Sequence, residues 1–340
     1  MKIACDKSNY RQIKDNNEYI YIFEDESLQE LLDTKLHCVY YKNIDKVDIN
    51  TTHYDIKCKR KMKITDNFEI KKRDYKIGII IPNYNYEHTI EKCLNSILEQ
   101  TYKNYEVIFI DDMSTDKSVE IAYKYHDKFF PKVNLKVIEL KQKRYNGGAR
   151  NEGYLHLSDD VDYVYYIDSD DWLYDKYALE KINKALIGEP DVLFVGIAKC
   201  RNNIITKEHI PQLKDRYEAF EWWSGSCGKV IKKELATRQD CLYNEGTLKE
   251  DKNQHCRICI NMIDFKCLED LIYVWNQDNY KSVTTKRDSI EWKTSTIRHY
   301  ADTIQLYLSV KGKDYKIDRL LEERINKCRE EIRNNGDKQH

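Results

Sequence analysis

An α/β protein with a mostly parallel sheet and helices on both faces is predicted by three observations. From Lys76 onward, short apolar runs alternate with stretches of helical periodicity, the sequence form of βαβ units. Polar and acidic residues gather directly after these runs, where the loops of an open α/β sheet hold ligands. The chain has 340 residues, 41% of them hydrophobic and 12% aromatic, with 11 Gly and 4 Pro, which supports a sizeable core and excludes low-complexity or collagen-like chains.

Residues 1–75 are charged and read as an N-terminal appendage with short apolar stretches at Tyr19–Phe23 and Cys38–Tyr41. They end in basic clusters at 57–63 and 71–76, which read as solvated surface. Strands are then expected at Ile77–Ile81, Tyr105–Ile110, Leu135–Leu140, Tyr163–Ile167 and Asp191–Ala198. Between the first two, Ile90, Cys93, Leu94, Ile97 and Leu98 fall on one helical face. Shorter helices are expected at Lys117–Lys128 and Asn151–Leu157, and a crossover helix at Lys176–Ile187. Beyond about residue 200 the pattern loosens, and 201–285 is expected to hold a helix at Lys249–Ile263 and a strand at Leu271–Trp275. Residues 286–340 read as two amphipathic helices, through Ile297, Tyr300, Ile304 and Leu308, then Leu321, Ile325, Cys328 and Ile332. Their short a/d spacing favours docking on the protein's own body over a coiled coil.

Charge and cysteine content narrow the function classes. Lys and Arg number 57 against 58 Asp and Glu, for a net charge of −1, which disfavours a polycation gripping nucleic acid. The first residues carry charge throughout and lack the apolar stretch of a secretory signal. No apolar run approaches the ~18 residues of a membrane span. Eleven scattered cysteines suit reduced, buried thiols, so the expected location is the cytoplasm, with room for peripheral contact with a membrane. Cys256 and Cys259 beside His255 read as core thiols in preference to half a zinc site.

The chemistry is expected where the strands end. Pro82-Asn83-Tyr84-Asn85 follows the first strand, Asp111-Asp112-Met113-Ser114 the second, Asn146-Gly147-Gly148-Ala149-Arg150-Asn151 the third, and Asp168-Ser169-Asp170-Asp171 the fourth. Ser114 or Asp116 also suits a helix cap, and a Gly-Gly pair is an ordinary turn. Three carboxylates within Asp168–Asp171 are different, because like charges repel unless a cation or strong hydrogen bonds offset them. Such oxygen donors suit Mg2+ or Mn2+, which leave positions for substrate phosphates. Glu250-Asp251 reads equally as two acids in a helix's first turn. His255 lies one turn further on, and Trp222 and Trp223 are either sugar-stacking rings or core anchors.

Together these motifs resemble the inverting GT-A glycosyltransferases of family 2. The family's P-x-Y-N is matched by Pro82–Asn85, its D-D-x-S-x-D by Asp111–Asp116, its N-x-G-x-x-x-A-R-N-x-G stretch in compressed form by residues 146–153, and its D-x-D-D by Asp168–Asp171. The match is firm over 76–200 and weaker to about 285, where Glu250-Asp251 resembles the family's late E-D pair. The resemblance implies a Rossmann-like GT-A sheet, with a nucleotide-sugar-binding half at 76–200 and an acceptor-binding half at 201–285. It implies that Pro82, Asn83, Tyr84, Asn85 and Asp111 or Asp112 line the base and ribose of the donor, with Gly147, Arg150 and Ser169 nearby. It also implies that Asp168 and Asp170 hold ribose and a Mn2+ or Mg2+ ion, and that Asp251 is the general base.

The expected function is metal-dependent transfer of a sugar from a nucleotide diphosphate, with uridine the expected nucleoside, to a hydroxyl of a glycan or lipid-linked saccharide. Two other classes compete. One is a nucleotide-binding module without catalysis, which the intact Asp168, Asp170 and Asp251 disfavour. The other is sugar transfer to a modified nucleic-acid base, with basic residues at 57–76 and 132–144 gripping phosphate. The sequence does not specify an oligomeric state.

Overall fold

The computed structural model describes residues 74–278 and 289–336, with side chains as far as Arg333, together with short strands nearer the N-terminus. The chain divides into two units, Met1–Arg73 with Leu186–Pro190, and Asp74–Ala185 with Asp191–His340. In the first unit, Ala4–Cys5, Ile20–Phe23 and Cys38–Tyr40 form a parallel sheet, and Thr52–Asp55 pairs antiparallel with Arg60–Lys63. The basic side chains at 57–63 and 71–73 lie outside the described residues.

The second unit is α/β throughout. In chain order it runs β1 (Ile77–Asn83), α1 (Ile90–Leu98), β2 (Tyr105–Asp111), α2 (Ser118–Phe129), β3 (Asn134–Glu139), α3 (Tyr145–Leu155), β4 (Tyr163–Tyr166), β5 (Trp172–Leu173) and α4 (Ala178–Ala185). It continues with β6 (Val192–Arg201), β7 (Ile204–His209), α5 (Arg216–Glu221), β8 (Lys229–Lys232), α6 (Lys233–Ala236), α7 (Glu250–Asn261), β9 (Phe265–Asn276), α8 (Ile290–Val310) and α9 (Tyr315–Gly336). The sheet order is β5-β9-β6-β8-β4-β1-β2-β3, with β7 beside β6.

Strands β3, β2, β1 and β4 are parallel neighbours, as βαβ units require. The far half is mixed, because β8 inserts antiparallel between β4 and β6. Four residues with a buried lysine at their head gave no strand signal in the sequence, so this insertion was not anticipated.

Every residue of β1 and β2 is buried, which demands cover on both faces. Alternate residues Ile80, Ile108, Ile110, Val164 and Tyr166 join one core cluster with α3, α7, α8 and α9. By strand alternation, Ile79, Ile81, Val107 and Phe109 point to the opposite face. Helices α1 and α2 pack on each other outside that cluster, and α1 buries the Ile90, Cys93, Leu94 and Ile97 stripe read from the sequence.

Three elements depart from the sequence reading. Helix α3 starts at Tyr145, so Gly147 and Gly148 are helical and not a turn. A Cβ on Gly147 would lie 2.5 Å from the Asn244 carbonyl oxygen, so Gly147 serves close packing of α3 against the segment before α7, while a Cβ on Gly148 would meet Arg144 Cβ at 2.4 Å. Strand β9 is longer than Leu271–Trp275, because its pairing with β6 slips between Val195 and Gly196 and lets Glu269 and Asp270 bulge out. In α8 the expected apolar stripe faces outward at Ile297 and Leu308, and the buried residues are Ser295, Thr296, His299, Asp302, Thr303 and Leu306. Leu306, Ile317, Leu320 and Leu321 nevertheless join the main core, so both C-terminal helices dock on the protein's own body.

Candidate active site

The loops after β1 and β2 are knitted together by polar side chains. Asn83 Nδ2 donates to Asp111 Oδ1 at 2.8 Å, and Ser114 donates to both Asp111 oxygens, through its amide at 2.8 Å and its hydroxyl at 2.5 Å. The Asn85 amide donates to Ser114 Oγ at 2.9 Å, and Asn85 Oδ1 accepts from the Thr115 amide at 2.7 Å. Asn85 is left-handed at φ 60°, a conformation that asparagine tolerates. Asn83, Asn85 and Asp111 therefore form a clasp between two loops. Ser114 belongs to that clasp, while Asp116 accepts from the Ser118 amide at 2.9 Å at the start of α2.

A cavity of about 380 Å³ opens beyond the clasp. Pro82, Tyr84, Asp112, Arg150, Asp168, Ser169 and Asp170 line one side, and Ser226, Glu250 and Asp251 line the other. Of the alternatives Asp111 and Asp112, it is Asp112 that reaches the cavity. Its oxygens accept from the Arg144 and Tyr145 amides at 2.7 and 2.8 Å, and Lys143 Nζ lies 3.2 Å away. Ser169 Oγ donates to the Pro82 carbonyl at 2.7 Å and so ties the β4 loop to the β1 loop. Gly147 is not on the cavity wall; its contribution is the close approach to Asn244.

Arg150 joins the two sides. Its side chain is 1% exposed, and Nη2 donates to Asp168 at 2.7 Å while Nη1 donates to Glu250 at 2.9 Å and Asp251 at 3.1 Å. Burial opposes its charge, but Asp168, Asp251 and Glu250 outweigh that effect and hold the guanidinium pKa well above its ordinary value. Burial and the adjacent Asp251 charge push Glu250 up to about 7 despite Arg150. Asp251 remains partly open, with a side chain 37% exposed.

The carboxylates after β4 have different surroundings. Asp171 is buried, accepting from Tyr273 Oη at 2.5 Å and from the Asn276 amide at 2.8 Å, and burial together with the Asp170 and Asp168 charges raises its pKa well above the ordinary range. It braces the loop against β9. Asp168 and Asp170 line the cavity with hard oxygen donors, and the contact to Arg150 uses Asp168 Oδ1. This donor set fits Mg2+ or Mn2+ completing its coordination with phosphate oxygens. Among the described residues, no group of three or more His, Cys, Asp or Glu side chains is gathered to hold a metal without such help.

Other candidates from the sequence are now placed. His255 is fully buried, its Nε2 2.9 Å from the Ala219 carbonyl, and burial holds its pKa well below the ordinary value, so it is a core histidine. Cys256 and Cys259 are buried thiols of the same core. Trp222 packs on that core, whereas Trp223 lines the cavity with Trp275 at a ring separation of 5.2 Å. The basic stretch 132–144 is partly neutralised within the fold, since Lys143 sits over the Tyr84 ring at 2.7 Å and beside Asp112, and Arg144 pairs with Glu152 and Glu245. A larger cavity of about 860 Å³, bounded by α7, α8 and α9, contains none of the site residues assigned from the sequence.

Sequence reasoning missed Lys143 as a wall residue, and also Ser226, Trp275 and Trp292. Lys143 was visible only as one member of a basic run, and the other three carried no local signal. No helix among the described residues is long and apolar enough to cross a membrane.

Residues 78–243 match the model of Glycosyl transferase family 2. Glycosyltransferase GlyA of Streptococcus pneumoniae is 38% identical over 36% of this chain and 17% of its own length. The Escherichia coli UDP-Glc:alpha-D-GlcNAc-diphosphoundecaprenol beta-1,3-glucosyltransferase WfgD is 29% identical over 42% of this chain and 54% of its own. The crystal structure of S. aureus TarS in complex with UDP-GlcNAc superposes with a TM-score of 0.55 at 21% identity, covering 67% of this chain and 66% of that one. The chain thus spans about a sixth to a half of the length of these two curated relatives. With its clasped loops and a D-x-D-D segment on the cavity, the chain carries a glycosyl transferase family 2 domain over residues 78–243, in a fold like that of the GT-A structures.

Proposed function

We propose that this chain is an inverting, metal-dependent glycosyltransferase that moves a sugar from a nucleotide diphosphate, uridine diphosphate being the favoured carrier, to a hydroxyl of a glycan or lipid-linked saccharide. One observation carries the reading: Asp168 and Asp170 share a cavity with Asp251, and buried Arg150 binds Asp168 and Asp251 at once. The names of the relatives support the donor and acceptor classes, since WfgD is named for a UDP-sugar donor and a lipid-linked acceptor.

Each role follows from ordinary chemistry. Tyr84 and Asp112 line the side where the base and ribose would lie, with Asp112 fixed by two backbone amides. Asp168 and Asp170 would hold Mg2+ or Mn2+, which when bound neutralises charge on the departing diphosphate. Arg150 and Lys143 add fixed positive charge on the same wall. Asp251 accepts the proton of the acceptor hydroxyl, which attacks the anomeric carbon opposite the diphosphate. The single proposed base makes this one displacement, and one displacement inverts configuration, in contrast to the two of a covalent glycosyl intermediate.

The test is product stereochemistry. A gluco- or galacto-configured α-linked UDP-hexose, incubated with Mn2+ and a panel of saccharide acceptors, should give a β-linked product by anomeric proton coupling in NMR. An α-linked product would contradict the reading.

A further inference from the structure

Resting on that functional reading, we infer that Ser226 and Tyr243 are positioning residues for the proposed base: a two-hydroxyl chain that sets the orientation of the Asp251 carboxylate. Tyr243 Oη donates to Ser226 Oγ at 2.7 Å, and Ser226 Oγ donates to Asp251 Oδ1 at 2.5 Å. Both hydroxyl residues are buried, at 2% exposure for Ser226 and 3% for Tyr243, so water does not readily substitute for either link.

The chain meets Arg150 on the same atom. Arg150 Nη1 also donates to Asp251 Oδ1, at 3.1 Å, and no hydrogen bond among the described residues falls on Oδ2. Oδ1 is therefore held by two donors from different elements, and Oδ2 is left to take a proton from an acceptor in the cavity. Without the Ser226 hydroxyl, Arg150 is the remaining donor to the carboxylate. A guanidinium fork favours bidentate pairing, which would draw both oxygens toward the protein interior.

Both anchors are held in place by contacts other than this chain. The turn that carries Ser226 is fixed from below by Lys229, whose buried Nζ donates to the Ser224 and Gly225 carbonyls at 3.3 and 2.7 Å. Gly225 and Gly228 sit so close over Trp223 that a Cβ would lie 2.4 and 2.9 Å from the indole. The Tyr243 ring packs edge-on against Tyr166 at 5.6 Å and beneath the Arg150 guanidinium at 5.2 Å. The loop and the ring are thus supported without the hydroxyls, and the hydroxyls link Tyr243 through Ser226 to Asp251.

The experiment is a double-mutant cycle on the full chain, read as donor affinity and transfer rate separately. Ser226→Ala should lower kcat about 10- to 100-fold, the size expected for losing a hydrogen bond to a charged group, while the dissociation constant for UDP-sugar with Mn2+ stays within about twofold. Ser226→Thr, which keeps the hydroxyl, should recover most of the rate. In an Asp251→Asn background, Ser226→Ala should cost less than about twofold, because residues that act as a unit are not additive. If Ser226→Ala does not fold, Tyr243→Phe carries the test, since it keeps the ring and should lower kcat several-fold at unchanged donor affinity. A full, additive loss in the Asp251→Asn background, or equal losses in donor affinity and rate, would overturn the inference. A parent chain that neither transfers nor hydrolyses any nucleotide sugar would overturn the functional reading, and this inference with it.

Discussion

The wall of the cavity formed by the loops after β1, β2 and β4 comes from strands that lie side by side, whereas the other wall gathers residues 223–227, 247–251 and 291–292 and Trp275 from separate parts of the chain. On the first wall, backbone register places the loops: Asn83 pairs with Asp111, and the Ile167 amide donates to the Ile80 carbonyl. On the second, side chains do so, through Ser226, Tyr243 and Arg150. The first wall has backbone pairing beneath its side-chain clasp, so it should keep more of its geometry when one side chain is lost. The second should keep less, because its arrangement depends on a few buried polar contacts.

Arg150 is where this comparison is most easily broken. Replacing it with Met leaves buried Glu250 and the partly exposed Asp168 and Asp251 without their shared cation. Removing one partner of such a cluster costs about 3–5 kcal/mol, so Arg150→Met should lower stability by about that amount in denaturant unfolding. A loss below about 1 kcal/mol would mean that the two walls are held together by something else.

A smaller effect sharpens the same point. Glu250, with a pKa of about 7 against an ordinary 4.5, binds more protons folded than unfolded between those values. Stability attributable to this group is therefore highest below pH 4.5 and falls as pH rises to about 7. Glu250→Gln should flatten that fall, seen as a smaller change in melting temperature across the window than in the parent. An unchanged slope would show that Arg150 keeps Glu250 ionised throughout, leaving one more negative charge beside Asp251 at neutral pH.

The two walls also differ in how far the sequence revealed them. Strands β1, β2 and β4 were legible because continuous buried runs such as Ile77–Ile81 have no other comfortable place. The motifs after them were legible because parallel strands deliver their ends to one edge. Within that edge, local spacing did not separate Asp112, on the cavity wall, from Asp111, in the clasp. Nor did it separate Asp171, braced by Tyr273, from Asp168 and Asp170, because the brace comes from a strand about a hundred residues on. Ser226 and Trp275 were illegible for the same reason: their meaning lies in contacts across the fold. The glycines of α3 read locally as a turn, while here they are helical and permit close approach of Asn244 to Gly147 and of Arg144 to Gly148.

The most direct test of the division between donor wall and base wall compares Asp251→Asn with Asp170→Asn, measuring UDP-sugar binding by calorimetry with Mn2+ present and sugar transfer in parallel. Asp251→Asn should bind donor as the parent does and lose on the order of 10²–10⁴-fold in transfer rate. Asp170→Asn should lose metal-dependent donor binding itself, and with it the roughly 2.7 kcal/mol of stabilisation that a ligand at a hundred times its dissociation constant provides. Transfer by Asp251→Asn at the parent rate would contradict the assignment of the base. Donor affinity unchanged in Asp170→Asn, or undiminished by chelator in the parent, would contradict the metal role of the donor wall.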